Sequence, residues 1–320
     1  MVEIFLASMN PMLFLFICMA TGYLLTKLGL IPDNAHAVLS KLEQFVFIPC
    51  LIINTFMNNC TLATLASNYS TIIYAMIACL LGVVICYPLS KLFVKEGYKR
   101  NVYKYAFAFA NSGFMGNPVV QGLFGDEGLY NYMLYTLFLQ FMIYTWGIAV
   151  LVPKEGKRDK NPLSFLKNLL NPCLISIAIG ISLGLLGVKE QVPYFISNTL
   201  SSLAGCMGPI AMLLTGMVVA AYPMKQLLGD KKVYLASLLR LFVLPAVFIA
   251  VLILLGADDK TLGWCLFATA TPLGLNTVVF PAAYGCDTST GASMAMISHV
   301  LSVLTIPLMY SLLTVVLNII

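Results

Sequence analysis

The sequence predicts an all-α integral membrane fold of ten transmembrane helices, arranged as two inverted five-helix repeats in which the fourth and ninth helices are broken. Three observations carry that prediction. Of 320 residues, 60% are hydrophobic and only 10% charged, whereas a soluble domain carries roughly one quarter charged residues. The apolar residues fall into ten runs, most of them near the roughly 20 residues that cross a hydrocarbon core of about 30 Å. The two halves of the chain also match one another at an offset of about 160 residues.

The runs lie at approximately 4–27, 35–57, 70–94, 103–124, 129–152, 171–188, 194–222, 233–256, 261–284 and 291–318. The first has Glu3 where a cleaved leader would be basic, and Lys27 follows it, so it reads as a helix rather than a signal peptide. The second contains Glu43 and Pro49. Lys91, Lys95, Lys99, Arg100 and Lys104 mark the gap between the third and fourth runs. The fourth is interrupted by Ala110-Asn111-Ser112-Gly113-Phe114-Met115-Gly116-Asn117-Pro118. Asp126 and Glu127 precede the fifth, in which Gln140 and Tyr144 are four apart and share a helix face. Lys154, Lys157, Arg158, Lys160 and Lys167 separate it from the sixth. The seventh contains Pro209, and Lys225, Lys231 and Lys232 lead into the eighth, which contains Arg240. Asp258, Asp259 and Lys260 precede the ninth, interrupted by Ala270-Thr271-Pro272-Leu273-Gly274-Leu275-Asn276-Thr277, with Pro281 a turn later. The tenth carries His299 between Ser298 and Ser302.

The odd-numbered gaps and the run ends that border them, with Lys27 and Lys41 included, hold all but three of the 18 basic residues, and the positive-inside rule assigns these gaps to the cytoplasm. Both termini are then extracytoplasmic, and the expected location is the cell (plasma) membrane. The net charge of +5 is this loop asymmetry and indicates contact with anionic lipid rather than nucleic acid. The nine cysteines are scattered without a CxxC pair, as small interior residues are, so neither a disulfide framework nor a metal site is expected.

Phe107-Ala108-Phe109-Ala110 faces Phe267-Ala268-Thr269-Ala270 across the offset, Val119 faces Val279, Gly125 faces Gly285 and Pro49 faces Pro209. Five helices per half is an odd number, so the second repeat (161–320) enters the membrane in the opposite sense from the first (1–160). Proteins built this way place a substrate near the midplane, where Gly/Pro-interrupted helices of the two halves meet. Each interruption leaves free N–H groups and a positive helix end suited to an anion, with Asn111, Asn117, Thr271, Asn276 and Thr277 beside them as neutral hydrogen-bonding groups. The alternative is a pair of kinked helices whose freed backbone is satisfied by those same side chains, with no ligand. Pro49 and Pro209 serve packing, or form a cavity wall or hinge.

Few ionisable residues lie inside the runs, and such residues default to function. Glu43 and Arg240 are read as close enough to the cytoplasmic face to snorkel or to pair with each other. His299 is either a hydrogen-bonded packing residue or a proton-coupling group, with Glu43 a second candidate for coupling. No phosphate-binding loop, HExxH or GxSxG is present. Gly291-Ala292-Ser293 with His299 leaves an intramembrane hydrolase as an alternative to a close helix contact.

Taken together, Asn111 through Pro118, Gly125-Asp126, Thr271-Pro272, Phe280-Pro281-Ala282-Ala283-Tyr284-Gly285 and Leu301 through Pro307 resemble the auxin efflux carrier family over the whole chain. The resemblance implies that the broken fourth and ninth helices cross, as in bile-acid symporter-like folds, and that helices 1, 2, 6 and 7 move as one unit against the rest. It implies a small organic anion as substrate, its carboxylate held by Asn111 at the break and Gln140 on the fifth helix. Thr277 stands where the family pattern has a proline. The resulting expectation is a secondary carrier, not an enzyme and without a cofactor. Its substrate-binding residues are Asn111, Gly113, Asn117, Pro118, Gln140, Thr271, Pro272, Asn276 and Thr277, with Pro49, Pro209 and Pro281 as hinge or cavity residues. Expected partners are the anion and the lipid bilayer; a homodimer is compatible with the sequence but not specified by it. Competing readings are a sodium- or proton-coupled symporter or antiporter of the same fold, and a membrane sensor that binds without transport.

Overall fold

The computed structural model describes residues 2–32, 34–152, 171–283 and 286–317. The basic cluster from Lys154 to Lys167, and Tyr284 and Gly285 of the second motif, lie outside the described residues. Among those described the chain is helical, with no strand beyond one isolated two-residue bridge.

Seven helices are long and apolar enough to cross a membrane. We label them α1 (Glu3–Lys27), α2 (Ala35–Asn59), α3 (Tyr69–Phe93), α5 (Ser112–Leu151), α7 (Tyr194–Ala220), α8 (Lys231–Leu254) and α11 (Ser289–Val316). Shorter helices complete the order: α4 (Tyr98–Ala108), α6 (Pro172–Leu185), α9 (Asp259–Thr269) and α10 (Asn276–Ala283). The predicted fourth and ninth runs are interrupted, between α4 and α5 and between α9 and α10. The forty residues of α5 would reach about 60 Å as one rod, and Gly125 divides it with φ 67° and ψ −163°, a conformation suited to glycine.

Proline shapes three of these helices through one device. Pro49, Pro118 and Pro245 each follow a five-residue π turn by two positions, at Glu43–Phe47, Ser112–Gly116 and Leu239–Val243. A proline offers no N–H and crowds the carbonyl four residues back, and the wider π turn absorbs the mismatch with an extra residue. That residue rotates the helix register.

Packing between the helices relies on glycine. A Cβ on Gly216 of α7 would lie 1.9 Å from the Met19 carbonyl oxygen of α1, and one on Gly22 would lie 2.1 Å from the Leu213 carbonyl oxygen. On α6, a Cβ on Gly184 would lie 2.6 Å from the Phe56 carbonyl oxygen of α2, and one on Gly180 would lie 3.2 Å from that of Ile52. Membrane helices associate through such small-residue seams because lipid provides no hydrophobic drive between them. The interior around α4, α5 and α9 is aromatic, with Tyr103, Tyr105, Phe107, Phe109, Tyr132, Tyr135 and Phe267 all fully buried. Leu6, Phe14, Ile17 and Leu24 of α1 are exposed apolar side chains, as a lipid-facing surface requires. No disulfide joins any of the cysteines among the described residues.

Gly216→Ala is expected to destabilise the protein by about 1–3 kcal/mol through overpacking. Gly205→Ala on the same helix, where a Cβ meets nothing within 4 Å, should leave it unchanged or slightly more stable. Thermal unfolding of both variants in detergent makes the comparison.

Candidate functional site

The two interruptions meet each other. Ala110 and Leu273 form an antiparallel bridge, and the Asn111 N–H donates to the Pro272 carbonyl at 2.8 Å. Neighbouring elements satisfy several of the remaining freed backbone groups. The Leu273 N–H donates to Ser298 Oγ at 3.0 Å. Tyr132 Oη donates to the Ser112 carbonyl at 3.0 Å and lies 3.4 Å from that of Phe267. Gly116 makes room for this hydroxyl, since a Cβ there would fall 2.1 Å from Tyr132 Oη. Arg240 donates to the Phe107 carbonyl at 3.1 Å and so neutralises the negative C-terminal end of α4. The N–H groups of Ser112, Gly113 and Phe114, at the start of α5, and of Leu275, ahead of α10, have no acceptor among the described residues.

Beside these free amides lies an enclosed cavity of roughly 50 Å³, lined by Asn111, Gly113, Asn117, Gln140, Tyr144 and Asn276 among others. Its polar groups are amides and hydroxyls, with no ionisable acid or base apart from the Tyr144 phenol and Cys173 thiol. Asn276 is steered by its Nδ2 donating to Tyr105 Oη at 3.0 Å. Two larger cavities approach at different levels along α7. One, about 690 Å³, is lined by His36, Lys41, Gln44, Asn171 and Thr288 and shares Ile48, Phe114, Tyr144 and Asn276 with the enclosed space. The other, about 700 Å³, is lined by Asn10, Pro118, Gln121 and Pro209 and shares only Met207 with it.

Asn111, Gly113, Asn117, Gln140 and Asn276, taken from the sequence as binding residues, thus surround one cavity. Pro118 faces the 700 Å³ cavity and packs where a Cβ on Gly208 would be 2.7 Å away. Pro272 contributes its carbonyl. Thr271 and Thr277 are buried outside the three cavities; Thr277 Oγ1 donates to the Gly274 carbonyl at 2.8 Å, and Thr271 Oγ1 has no partner. Of the proline hinge candidates, Pro209 lines a cavity, whereas Pro49 and Pro281 line none of the three. His299 is buried behind the site: Asn111 Nδ2 lies 3.1 Å from its Nε2, and its Nδ1 lies 2.7 Å from the Ala295 carbonyl. Gly291 is a close helix contact, because a Cβ there would lie 2.5 Å from the Thr277 carbonyl oxygen. Ser293 makes no hydrogen bond to His299 among the described residues.

Glu43 and Arg240 require correction. Each is 1% exposed, so neither snorkels, and they form no ion pair; Lys99 with Asp230, at 2.7 Å, is the one such pair among the described residues. Both sit within the π turns that precede Pro49 and Pro245. Neither Glu43 carboxyl oxygen has a hydrogen-bond partner among the described residues. Sequence reading missed Tyr105, Tyr132 and Met207 altogether; Ser298 carried a signal, lying next to His299 on a polar face of α11.

An apolar all-helical chain whose broken helices meet around a polar cavity has the build of a multi-pass membrane transporter. Its sequence matches the family described as membrane transport protein over residues 7–310, and it belongs to that family, the auxin efflux carriers that its motifs resemble. It is 25% identical over 303 residues to an uncharacterized transporter of Methanocaldococcus jannaschii, spanning 94% of this chain and 97% of the relative. An uncharacterized transporter of Methanothermobacter thermautotrophicus is likewise 25% identical, over 307 residues, 95% of this chain and 98% of the relative.

Arg240→Met strips the Phe107 carbonyl of a charged donor and should lower unfolding stability by about 1.5–3 kcal/mol, while Tyr132→Phe should cost about 0.5–1.5 kcal/mol. Chemical denaturation in detergent, followed by tryptophan fluorescence, reads both.

Proposed function

We propose that this protein is a secondary carrier for a small organic carboxylate, and that the paired interruptions form its substrate site. The observation that carries this reading is the set of N–H groups at Ser112, Gly113 and Phe114, left without acceptors beside the amides of Asn111, Asn117 and Gln140. Free amides at a helix N-terminus, with its positive dipole end, suit an anion. A bare cation would want carboxylates, and none lines this cavity.

In this proposal the chain crosses the plasma membrane ten times as two inverted repeats, 1–160 and 161–320, with both termini outside. Three features support it. The division of α5 at Gly125 makes two spans of that helix. The interruptions of the two halves pair with each other. The glycine seams of α1 with α7 and of α6 with α2 are counterparts under the half-chain offset. Transport proceeds by alternating access. The cavity lined by Lys41 and His36 is the cytoplasmic approach under the positive-inside rule, the one lined by Asn10 and Gln121 is the outer approach, and Met207 stands between the outer approach and the site.

Uptake of radiolabelled acetate, malonate, malate and benzoate into proteoliposomes tests the assignment. Asn111→Ala and Asn117→Ala should each reduce kcat/KM for the transported acid by about tenfold or more, the loss of a hydrogen bond to a charged group. Parent-like rates in both variants would move the site elsewhere.

A further inference from the structure

Asn111 does not present its amide freely. Its Nδ2 is committed to His299 Nε2 at 3.1 Å, and His299 Nδ1 is committed to the Ala295 carbonyl at 2.7 Å. A carbonyl oxygen only accepts, so Nδ1 carries a proton; Nε2 is then the acceptor of the Asn111 N–H, and the imidazole is neutral. This fixes the amide. One N–H points at the imidazole, and Oδ1, for which the protein supplies no donor among the described residues, is left for the cavity that Asn111 lines. A carboxylate arriving there meets an oxygen dipole of the wrong sign.

We propose that His299 is a positioning residue that couples proton uptake to anion binding by turning the Asn111 amide over. The inference rests on the carboxylate reading above and names its coupling ion. When a proton from the aqueous phase adds to the Nε2 lone pair, both ring nitrogens become donors. Nε2–H then needs an acceptor, which Asn111 supplies by rotating its amide half a turn so that Oδ1 faces the ring. The Nδ2 group now points into the cavity, adding a donor where an acceptor stood, and the bound carboxylate compensates the imidazolium charge across one amide. Loss of the proton reverses the rotation and expels the anion.

No other titratable group intercepts this linkage. Cys18 on α1, Tyr105 on α4, Cys206 on α7, Lys225 on the short helix Met224–Leu228, Arg240 on α8 and Cys265 on α9 belong to elements packed against α11. None of them hydrogen-bonds to the imidazole or pairs with it, and no charged side chain lies within ion-pair distance of it among the described residues. The π turn that holds Glu43 packs on α7 and α6 instead.

The test is calorimetric titration of the full-length protein in nanodiscs with acetate, malonate, malate and benzoate, at one pH in buffers of different ionisation heat. Parent protein should take up a proton with each carboxylate bound. His299→Gln, whose Oε1 keeps an acceptor for Asn111 but does not ionise, should bind about tenfold more weakly at acid pH and take up none. Binding by the parent without proton uptake overturns the coupling while leaving the carboxylate reading intact, as does unchanged uptake in His299→Gln. Failure of all four acids to bind the parent overturns the carboxylate reading and the coupling with it.

Discussion

A helix broken inside a bilayer frees N–H and C=O groups that lipid cannot bond, and each must find a partner within the protein or face water. The arrangement of this molecule follows from how that demand is met. The Asn111 N–H goes to the Pro272 carbonyl, so each interruption is the other's principal partner. Arg240, Tyr132 and Ser298 satisfy further groups from three different helices. Among the N–H donors left over, those of Ser112, Gly113 and Phe114 lie beside a cavity of amides. The candidate site is thus built on backbone donors that the rest of the fold leaves unsatisfied.

Electrostatics sharpen the point. A pair of broken helices offers two positive and two negative ends, which on their own favour neither sign of ligand. Here the negative end of α4 is met by the buried guanidinium of Arg240, while the negative end of α9 receives only the Tyr132 hydroxyl. The junction of the two interruptions is biased towards positive potential without any ionised side chain among the described residues that line the cavity. Small residues make the geometry feasible: Gly116 admits the Tyr132 hydroxyl, Gly208 admits Pro118, and Gly291 admits the first turn of α10.

Much of this was legible in the sequence because its signals are local. Runs of apolar residues marked the helices to within a few positions, and Asn, Gly and Pro marked both interruptions. The second differs in detail: the chain is non-helical from Ala270 through Leu275, and Thr277 already lies in the first turn of α10. A proline at 277 is therefore not required to open it, since Pro272 and Gly274 do so upstream. The sequence hid whatever depends on distant parts of the fold. Tyr105 reaches Asn276 across 171 positions, and His299 reaches Asn111 across 188. Glu43 and Arg240 were misjudged because their short distance along the chain from the cytoplasmic gaps suggested access to the membrane surface, whereas packing against other helices buries both.

The central claim is that the pairing of the two interruptions makes an anion site. The most direct measurement is a crystal structure of the protein with a bromine-substituted short-chain carboxylate, located by the anomalous signal of the bromine. The account predicts a bromine peak in the cavity between Asn111 and Gln140, with the carboxylate against the N–H groups of Ser112 and Gly113. A peak confined to the cavities near Lys41 or Asn10, with the space between Asn111 and Gln140 empty, would contradict it.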